Sequence, residues 1–359
     1  MAKKLMKGNV AIAEAAIQSG LDMFFGYPIT PQNDIPEYLS EHLPEHGGTF
    51  LQSESELAAI NMCEGAAATG ARVMTSTSGP GYSLMQEGIS NIAAIGLPLV
   101  VVNMMRSGPG SGTIFSSQGD YEQATRGGGN GDYNVCVLAP SSVQEAVDLL
   151  QDGFDLTDKY RVPVLILGDA MIGQMMEPVE IVPRERVKYD ISSWATRGWD
   201  DKSRARVAMA SRNPTLEDNI ARIRGMQERW AALKEEYTRY ETYRTEDAEI
   251  LLIAYGSVSR MVREAVDILR EEGVKAGLFR PVTLHPFPYE AIHAAAEADC
   301  VKKVITVEQS TGQMHRDVKL AVLGAKEIAL YARPAADIPL PDEIADYVRK
   351  SAGTAEGRA

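Results

Sequence analysis

The sequence predicts an α/β protein built on a parallel sheet, and three observations predict it. Helical and strand patterns alternate along residues 1–178 and again from Glu249 onward, the rhythm of strands joined by crossover helices. The apolar runs Leu99-Val100-Val101-Val102 and Val162-Pro163-Val164-Leu165-Ile166-Leu167 lack polar alternation, as strands do when helices cover both sheet faces. Four loops, Tyr27-Pro28-Ile29-Thr30-Pro31, Gln52-Ser53-Glu54-Ser55-Glu56, Ser78-Gly79-Pro80-Gly81 and Arg106-Ser107-Gly108-Pro109-Gly110, each follow a short apolar run. Parallel strands would bring all four to one sheet edge, where open sheets of this class bind ligands.

Taken in order, the periodicities predict a helix over 9–19, strands over 23–27 and 49–51, a helix over 56–69 and a strand over 72–77. A helix over 82–94, strands over 97–104 and 134–138, a helix over 142–158 and a strand over 162–168 complete a first unit, 1–178. Between 179 and 247 charge rises, Trp194, Trp199 and Trp230 enter and strand signals vanish, which marks a connector. Its second half, 215–243, places Leu216, Ile220, Ile223, Met226, Trp230, Leu233 and Tyr237 three or four apart, the apolar stripe of a long helix. Such a stripe needs a surface, either the chain's own domains or a neighbouring subunit. A smaller α/β unit follows over 248–351, with strands at 250–255, 275–279 and 303–307, helices at 259–272, 289–298 and 342–350, and a flexible tail at 352–359.

Composition removes several functions. At 359 residues the chain exceeds one ordinary core and suits two domains. The hydrophobic share of 45% is that of a folded protein, and no apolar stretch reaches the roughly 18 residues of a membrane span. The start, Met1-Ala2-Lys3-Lys4-Leu5-Met6-Lys7, is basic, but polar residues interrupt it before a signal-peptide core forms, so the expectation is a cytoplasmic protein without a membrane partner. Cys63, Cys136 and Cys300 are too few and too scattered for a disulfide frame, a zinc site or an iron-sulfur cluster. A net charge of -13 repels phosphate backbones and argues against nucleic acid. His42 and His46 stand four apart, but Pro44 breaks the helix that would align them on a metal. No Ser/His/Asp arrangement is readable, and no Gly-x-Gly-x-x-Gly follows a strand, which sets aside hydrolysis and hydride transfer.

The loop residues admit structural and chemical readings. Thr30 before Pro31 has the look of an ordinary helix cap, though its hydroxyl would then sit at the ligand edge. Ser53-x-x-Glu56 is the pattern of a capping box, while a carboxylate at a helix start is also suited to grip a protonated ring nitrogen, a role for which Glu54 competes. Ser78-Gly79-Pro80-Gly81 is a tight turn whose amides could approach a ligand closely. Arg106 ends a strand that is apolar except for Asn103 and is followed by small residues, leaving its guanidinium free for a carboxylate or for a salt bridge with a neighbouring loop. The run Gly127-Gly128-Gly129-Asn130-Gly131 reads as a lid or a linker.

In order, Phe25-Gly26-Tyr27-Pro28-Ile29-Thr30-Pro31, Glu54-Ser55-Glu56-x-Ala58-Ala59-Ile60-Asn61, Val73-Met74-Thr75-Ser76-Thr77-Ser78-Gly79-Pro80-Gly81 and Arg106-Ser107-Gly108-Pro109-Gly110 resemble the alpha subunit of 2-oxoacid:ferredoxin oxidoreductases. The resemblance runs the full length, through Tyr255-Gly256, Arg280-Pro281-Val282-Thr283-Leu284-His285-Pro286-Phe287-Pro288 and Val307-Glu308-Gln309-Ser310-Thr311-Gly312-Gln313-Met314. Its Glu-Ser-Glu, Arg-Ser-Gly-Pro-Gly and Gly-Gly-Gly-Asn-Gly segments are most similar to the branched-chain type, which acts on 3-methyl-2-oxobutanoate.

The resemblance implies a parallel-sheet, pyrimidine-type thiamine diphosphate-binding domain followed by a transketolase C-terminal-like domain. Glu56 would hold the aminopyrimidine ring nitrogen, Thr30 would contact the keto-acid end of the substrate and Arg106 its carboxylate. Pro28, Ile29, Ser78, Gly79, Pro80 and Gly81 would line the cofactor. Coenzyme A would be co-substrate and ferredoxin the electron acceptor. Diphosphate-binding domains of such enzymes carry Gly-Asp-Gly with a downstream magnesium-holding Asn, the nearest match in this chain is Gly168-Asp169-Ala170, and there are no cluster cysteines. Magnesium, the diphosphate end and the iron-sulfur clusters are therefore expected on a beta subunit and on gamma and ferredoxin-like delta subunits. Two alternatives stand beside this reading: a 2-oxoglutarate-type subunit, with Arg126 as the second cation, and a non-catalytic scaffold in which Thr30 and Glu56 serve only as caps.

Overall fold

The computed structural model describes residues 3–196, 198 and 215–353. Among these, seven strands form one sheet in the order Thr283–His285, Cys136–Leu138, Val164–Asp169, Val100–Met105, Val73–Thr77, Met23–Gly26 and Thr49–Gln52. All neighbours are parallel except the first pair. Alternate residues of Val100–Met105 explain why the strand is apolar except for Asn103. Val101 and Met105 pack with Ile60, Met85 and Ile89 on one face, whereas Val100, Val102 and Met104 pack with Ile12, Val147 and Phe154 on the other. Each such side chain contributes about 1.5–3 kcal/mol by leaving water.

The covering helices start where their sequences dictate. Helix Val143–Tyr160 is capped by the Ser142 hydroxyl, which accepts from the Glu145 amide at 3.1 Å, and its buried stripe Ala146, Val147, Leu150 and Phe154 faces the sheet. The stretch expected as one helix over 82–94 is two, Gly79–Leu84 and Gln86–Ile95, because the turn at Ser78 already begins a helix. Helix Asp34–His42 lies in the first crossover, between Met23–Gly26 and Thr49–Gln52, and the chain breaks at Pro44 before His46, as the proline requires.

The connector holds more order than its composition suggests. Met176–Val179 pairs antiparallel with Lys4–Lys7. Helix Leu216–Glu236 lies against Val143–Tyr160 and Gln86–Ile95, with Leu233 fully buried and Trp230 stacked on His285 at a centroid distance of 4.4 Å. The apolar stripe thus finds its surface on its own chain, although Leu216 and Ile220 stay exposed. The helix stops at Glu236 and Tyr240–Tyr243 forms a strand, against the expectation of helix to 243, because Phe279 and its strand offer an open antiparallel edge. Trp199 and, within the expected tail, residues 354–359 lie outside the described residues.

The second sheet runs Glu327–Ala332, Lys303–Glu308, Ile250–Ile253, Ala276–Pro281, Tyr240–Tyr243 among the described residues, parallel but for the last. Thr283–His285, from the same stretch of chain, instead joins the first sheet beside Cys136–Leu138. The two sheets are locked by buried polar contacts. Gln118 exchanges backbone and side-chain hydrogen bonds of 2.9 Å with Gln309 and donates to the Tyr255 carbonyl at 2.9 Å. The fully buried Asp317 carboxylate accepts from Tyr121 at 2.7 Å, from Tyr289 and from Arg126 at 2.6 Å. Removing it leaves the buried Tyr121 hydroxyl without its acceptor, so Asp317→Ala should cost about 1–3 kcal/mol, read as a lower midpoint in urea unfolding. An unchanged midpoint would show the clasp to be energetically idle.

Candidate active site

The strands Val100–Met105, Val73–Thr77, Met23–Gly26 and Thr49–Gln52 are consecutive neighbours, so the four loops predicted to converge emerge side by side. Short bonds fix them there. The Ser53 amide and hydroxyl both donate to the Gly26 carbonyl, at 2.9 and 3.1 Å. The buried Gln32 amide donates to the Tyr27 carbonyl at 3.3 Å and accepts from the Ser76 hydroxyl at 2.6 Å, tying the first loop to the third strand. Arg106 reaches across that strand's end to donate to the Thr30 carbonyl at 2.9 Å, and to the Ser111 carbonyl at 3.0 Å. Gly79, whose φ of +37° suits glycine, passes beneath the Arg106 stem.

Two capping readings fail here, each for a physical reason. Thr30 is not a helix cap: the helix starts at Asp34 after Asn33. A start at Pro31 would put Pro36 inside the helix, where its missing N–H and its ring are not tolerated. Ser53 and Glu56 do not form a capping box either, because Ser55 is the cap, its hydroxyl accepting from the Ala58 amide at 3.3 Å. Ser53 is spent on Gly26 and Ser55. Glu56 is thereby released to lie only 6% exposed at the start of helix Glu56–Ala67, and among the described residues its carboxylate takes no hydrogen bond. A Cβ at Gly81 would collide with that carboxylate and with the Thr77 hydroxyl, so the glycine makes the contact possible. Glu54 is exposed and accepts from the Ser55 hydroxyl at 2.8 Å.

Buried polar atoms ordinarily find partners, and several at this edge have none among the described residues: the hydroxyls of Thr77 and Ser78 and the Nε of Arg106. No carboxylate pairs with Arg106 among the described residues, so the salt-bridge reading of that residue does not hold. An unclaimed carboxylate, donors and a glycine cradle fit the ring end of a heteroaromatic cofactor and the carboxylate of a small acid.

A cleft of about 700 Å³ opens beside Gly79, Pro80 and Arg106 and is walled on its far side by Ser310, Thr311 and Gln313 of the second sheet's loops. Asp120 also lines it and accepts from the Asn103 amide at 3.0 Å. Burial pushes the Asp120 carboxyl up, with the Asn103 bond and the Arg106 charge working against it. These residues were not singled out as site residues from sequence; the lone polar Asn103 in an apolar strand was the available signal.

Other expected participants are engaged elsewhere. Arg126 pairs with Asp317, a buried carboxylate that would be left uncompensated if the guanidinium turned to a substrate. The glycine run packs on helix Gln86–Ile95, where Gly129 touches Ser90, and the Gly128 and Gly129 amides donate to Tyr133 at 3.2 and 3.0 Å. It is not a lid. Asp169 caps helix Ala170–Gln174 by accepting from Met171 and Ile172 at 2.9 and 3.0 Å, and takes the Ser257 hydroxyl as well.

Comparison with known proteins gives the family of the chain. Residues 14–246 match the family described as pyruvate flavodoxin/ferredoxin oxidoreductase, thiamine diphosphate-binding, and residues 248–344 match pyruvate:ferredoxin oxidoreductase core domain II. The chain is 46% identical over 355 residues to the ketoisovalerate oxidoreductase subunit VorB of Methanothermobacter marburgensis, covering 98% of this chain and 99% of that one. Its fold superposes on a 2-oxoglutarate:ferredoxin oxidoreductase from Magnetococcus marinus, solved with 2-oxoglutarate, coenzyme A and succinyl-CoA bound, with a TM-score of 0.85 and 26% identity over 97% of this chain. It spans 65% of that longer chain. A split-gene transketolase, with a TM-score of 0.59 and 13% identity over 96% of this chain, shares the fold alone. The chain belongs to the pyruvate flavodoxin/ferredoxin oxidoreductase family, as an alpha-type subunit of the 2-oxoacid:ferredoxin oxidoreductases.

Proposed function

We propose that this chain holds the ring end of thiamine diphosphate and the carboxylate of a branched-chain 2-oxoacid. It would act within a complex that oxidatively decarboxylates 3-methyl-2-oxobutanoate to acyl-CoA and CO2 and reduces ferredoxin. The observation that carries the proposal is Glu56, a buried carboxylate without a hydrogen-bond partner among the described residues, set against a glycine that leaves it room. Residues 1–178 would be the pyrimidine-binding unit, 179–247 the connector and 248–351 the second domain.

Thiamine diphosphate, when bound, supplies a nucleophilic carbon and a sink for the electrons released on decarboxylation. From its place at a helix start, Glu56 would accept a hydrogen bond from the protonated pyrimidine nitrogen. Glu54, exposed and bonded to Ser55, is poorly placed for that role. Pro28, Ile29 and the Ser78-Gly79-Pro80-Gly81 turn would line the ring. Arg106 would take the substrate carboxylate with Nε and a terminal nitrogen, and Thr30 would contact the keto-acid end.

Asp169 is consumed as a cap, and the described residues hold no group of three or more His, Cys, Asp or Glu side chains arranged to bind a metal ion. The diphosphate end with its magnesium, and the iron-sulfur clusters, would therefore belong to a beta subunit and to gamma and ferredoxin-like delta subunits, with coenzyme A entering as co-substrate. No described helix is long and apolar enough to cross a membrane, and we place the complex in the cytoplasm. The branched-chain assignment is supported by the name of the 46%-identical relative and by Arg126, the second cation a 2-oxoglutarate enzyme was expected to use, being held by Asp317.

Glu56→Gln should leave co-purification of the subunits intact and lower turnover by about 10²- to 10⁴-fold, the usual cost of losing an acid-base group. A scaffold would keep both assembly and turnover. Gly81→Ala drives a methyl group into the Glu56 carboxylate and should raise the thiamine diphosphate concentration needed for half-maximal activity; an unchanged requirement would remove Gly81 from the site. In a 2-oxoacid panel with a viologen acceptor, the complex should process 3-methyl-2-oxobutanoate fastest, and a clear preference for 2-oxoglutarate would overturn the substrate assignment.

A further inference from the structure

Asn103 is the single polar residue of strand Val100–Met105 and is fully buried. Its side-chain amide does not serve the strand; it donates to the Asp120 carboxylate at 3.0 Å, while its own oxygen has no partner among the described residues. Asp120 in turn stands at the cap position of helix Tyr121–Arg126 and forgoes the side-chain bond that an aspartate there ordinarily makes. A buried asparagine and a relinquished cap together hold one carboxyl at the wall of the cleft that also contains Arg106, and the Asn103 amide and the Arg106 charge support its ionised form against the cost of burial.

The rest of the wall explains what that carboxyl does. Among the described residues Arg106 is the cleft's only cation, and Ser117, Gln123, Thr311 and Gln313 are neutral. We infer that Asp120 is a specificity-determining residue, an anion built into the cleft that turns away 2-oxoacids carrying a second carboxylate. The inference rests on the reading above in which Arg106 takes the carboxylate next to the keto group. With that carboxylate seated on Arg106, the distal carboxylate of 2-oxoglutarate would enter a half-buried space holding a like charge and, among the described residues, no second cation to offset it, and like charges brought together away from water are penalised. A branched apolar side chain meets no such penalty. Arg126 cannot relieve the repulsion, because it neutralises Asp317.

The test uses the assembled complex carrying Asp120→Asn, with kcat/KM measured for 2-oxoglutarate and for 3-methyl-2-oxobutanoate. The expected result is a shift of their ratio toward 2-oxoglutarate by about tenfold or more, the discrimination that one unfavourable charge contact of about 1.4 kcal/mol supplies. A residue that merely supports the loop would lower both values together and leave the ratio in place, which overturns the assignment. A second measurement needs no variant. In the unmodified complex, 2-oxoglutarate should inhibit turnover of 3-methyl-2-oxobutanoate about tenfold more weakly than 2-oxohexanoate, a monocarboxylate of similar reach, and equal inhibition overturns the assignment. If the unmodified complex prefers 2-oxoglutarate as substrate, the branched-chain reading itself fails. If it prefers 3-methyl-2-oxobutanoate and the Asp120→Asn ratio stays put, only the role of Asp120 fails.

Discussion

The hydrogen bond from Arg106 to the Thr30 carbonyl ties together two loops whose strands are not neighbours. The guanidinium spans the end of strand Val73–Thr77, so the bond exists only if three parallel strands finish at the same level and the loop after the middle one stays low. Gly79 keeps it low. Because both loops are fixed by that one side chain, the Nε of Arg106 points from a rigid frame, and a carboxylate meeting it would lose little further freedom. Glu56 is held by the same logic from the other side, through Ser55 capping its helix and Gly81 receding from its oxygen atoms.

A second constraint shapes the cleft. Segment 116–126 is gripped by 308–317 through Gln118, Gln309, Gln313 and Asp317, groups that would be costly to bury without one another. The Gln313 side chain donates to the Gly119 carbonyl at 2.7 Å and accepts from the Glu122 amide at 2.8 Å, which places Asp120 between two fixed points. The second sheet therefore contributes to the site without offering a reactive group of its own, by holding a first-sheet loop in register with Arg106.

Much of this was legible in the sequence. The unbroken apolar strands and the loops after them pointed to the parallel sheet and its ligand edge, since both follow from local patterns with a single physical cause. Long-range pairings were not legible. Thr283–His285 crosses to the first sheet and Tyr240–Tyr243 leaves a helical pattern to pair with Ala276–Pro281, because an available strand edge outweighs local propensity. At the site, Thr30 and Glu56 were each open to a capping reading. Pro36 already argued against the first, whereas the second was decided by Ser53 turning to Gly26, a contact that sequence spacing does not encode. Arg126 was misplaced for the same reason, its partner Asp317 lying far along the chain.

The central claim is that this polypeptide forms half of a composite site, with Glu56 on the coenzyme's ring. A structure of the assembled complex with thiamine diphosphate tests it most directly. The expected result is a Glu56 oxygen within about 2.6–3.2 Å of the pyrimidine ring nitrogen, with the diphosphate contacted by another chain. A coenzyme whose ring and diphosphate both lie on the partner subunit, out of reach of Glu56, would contradict it.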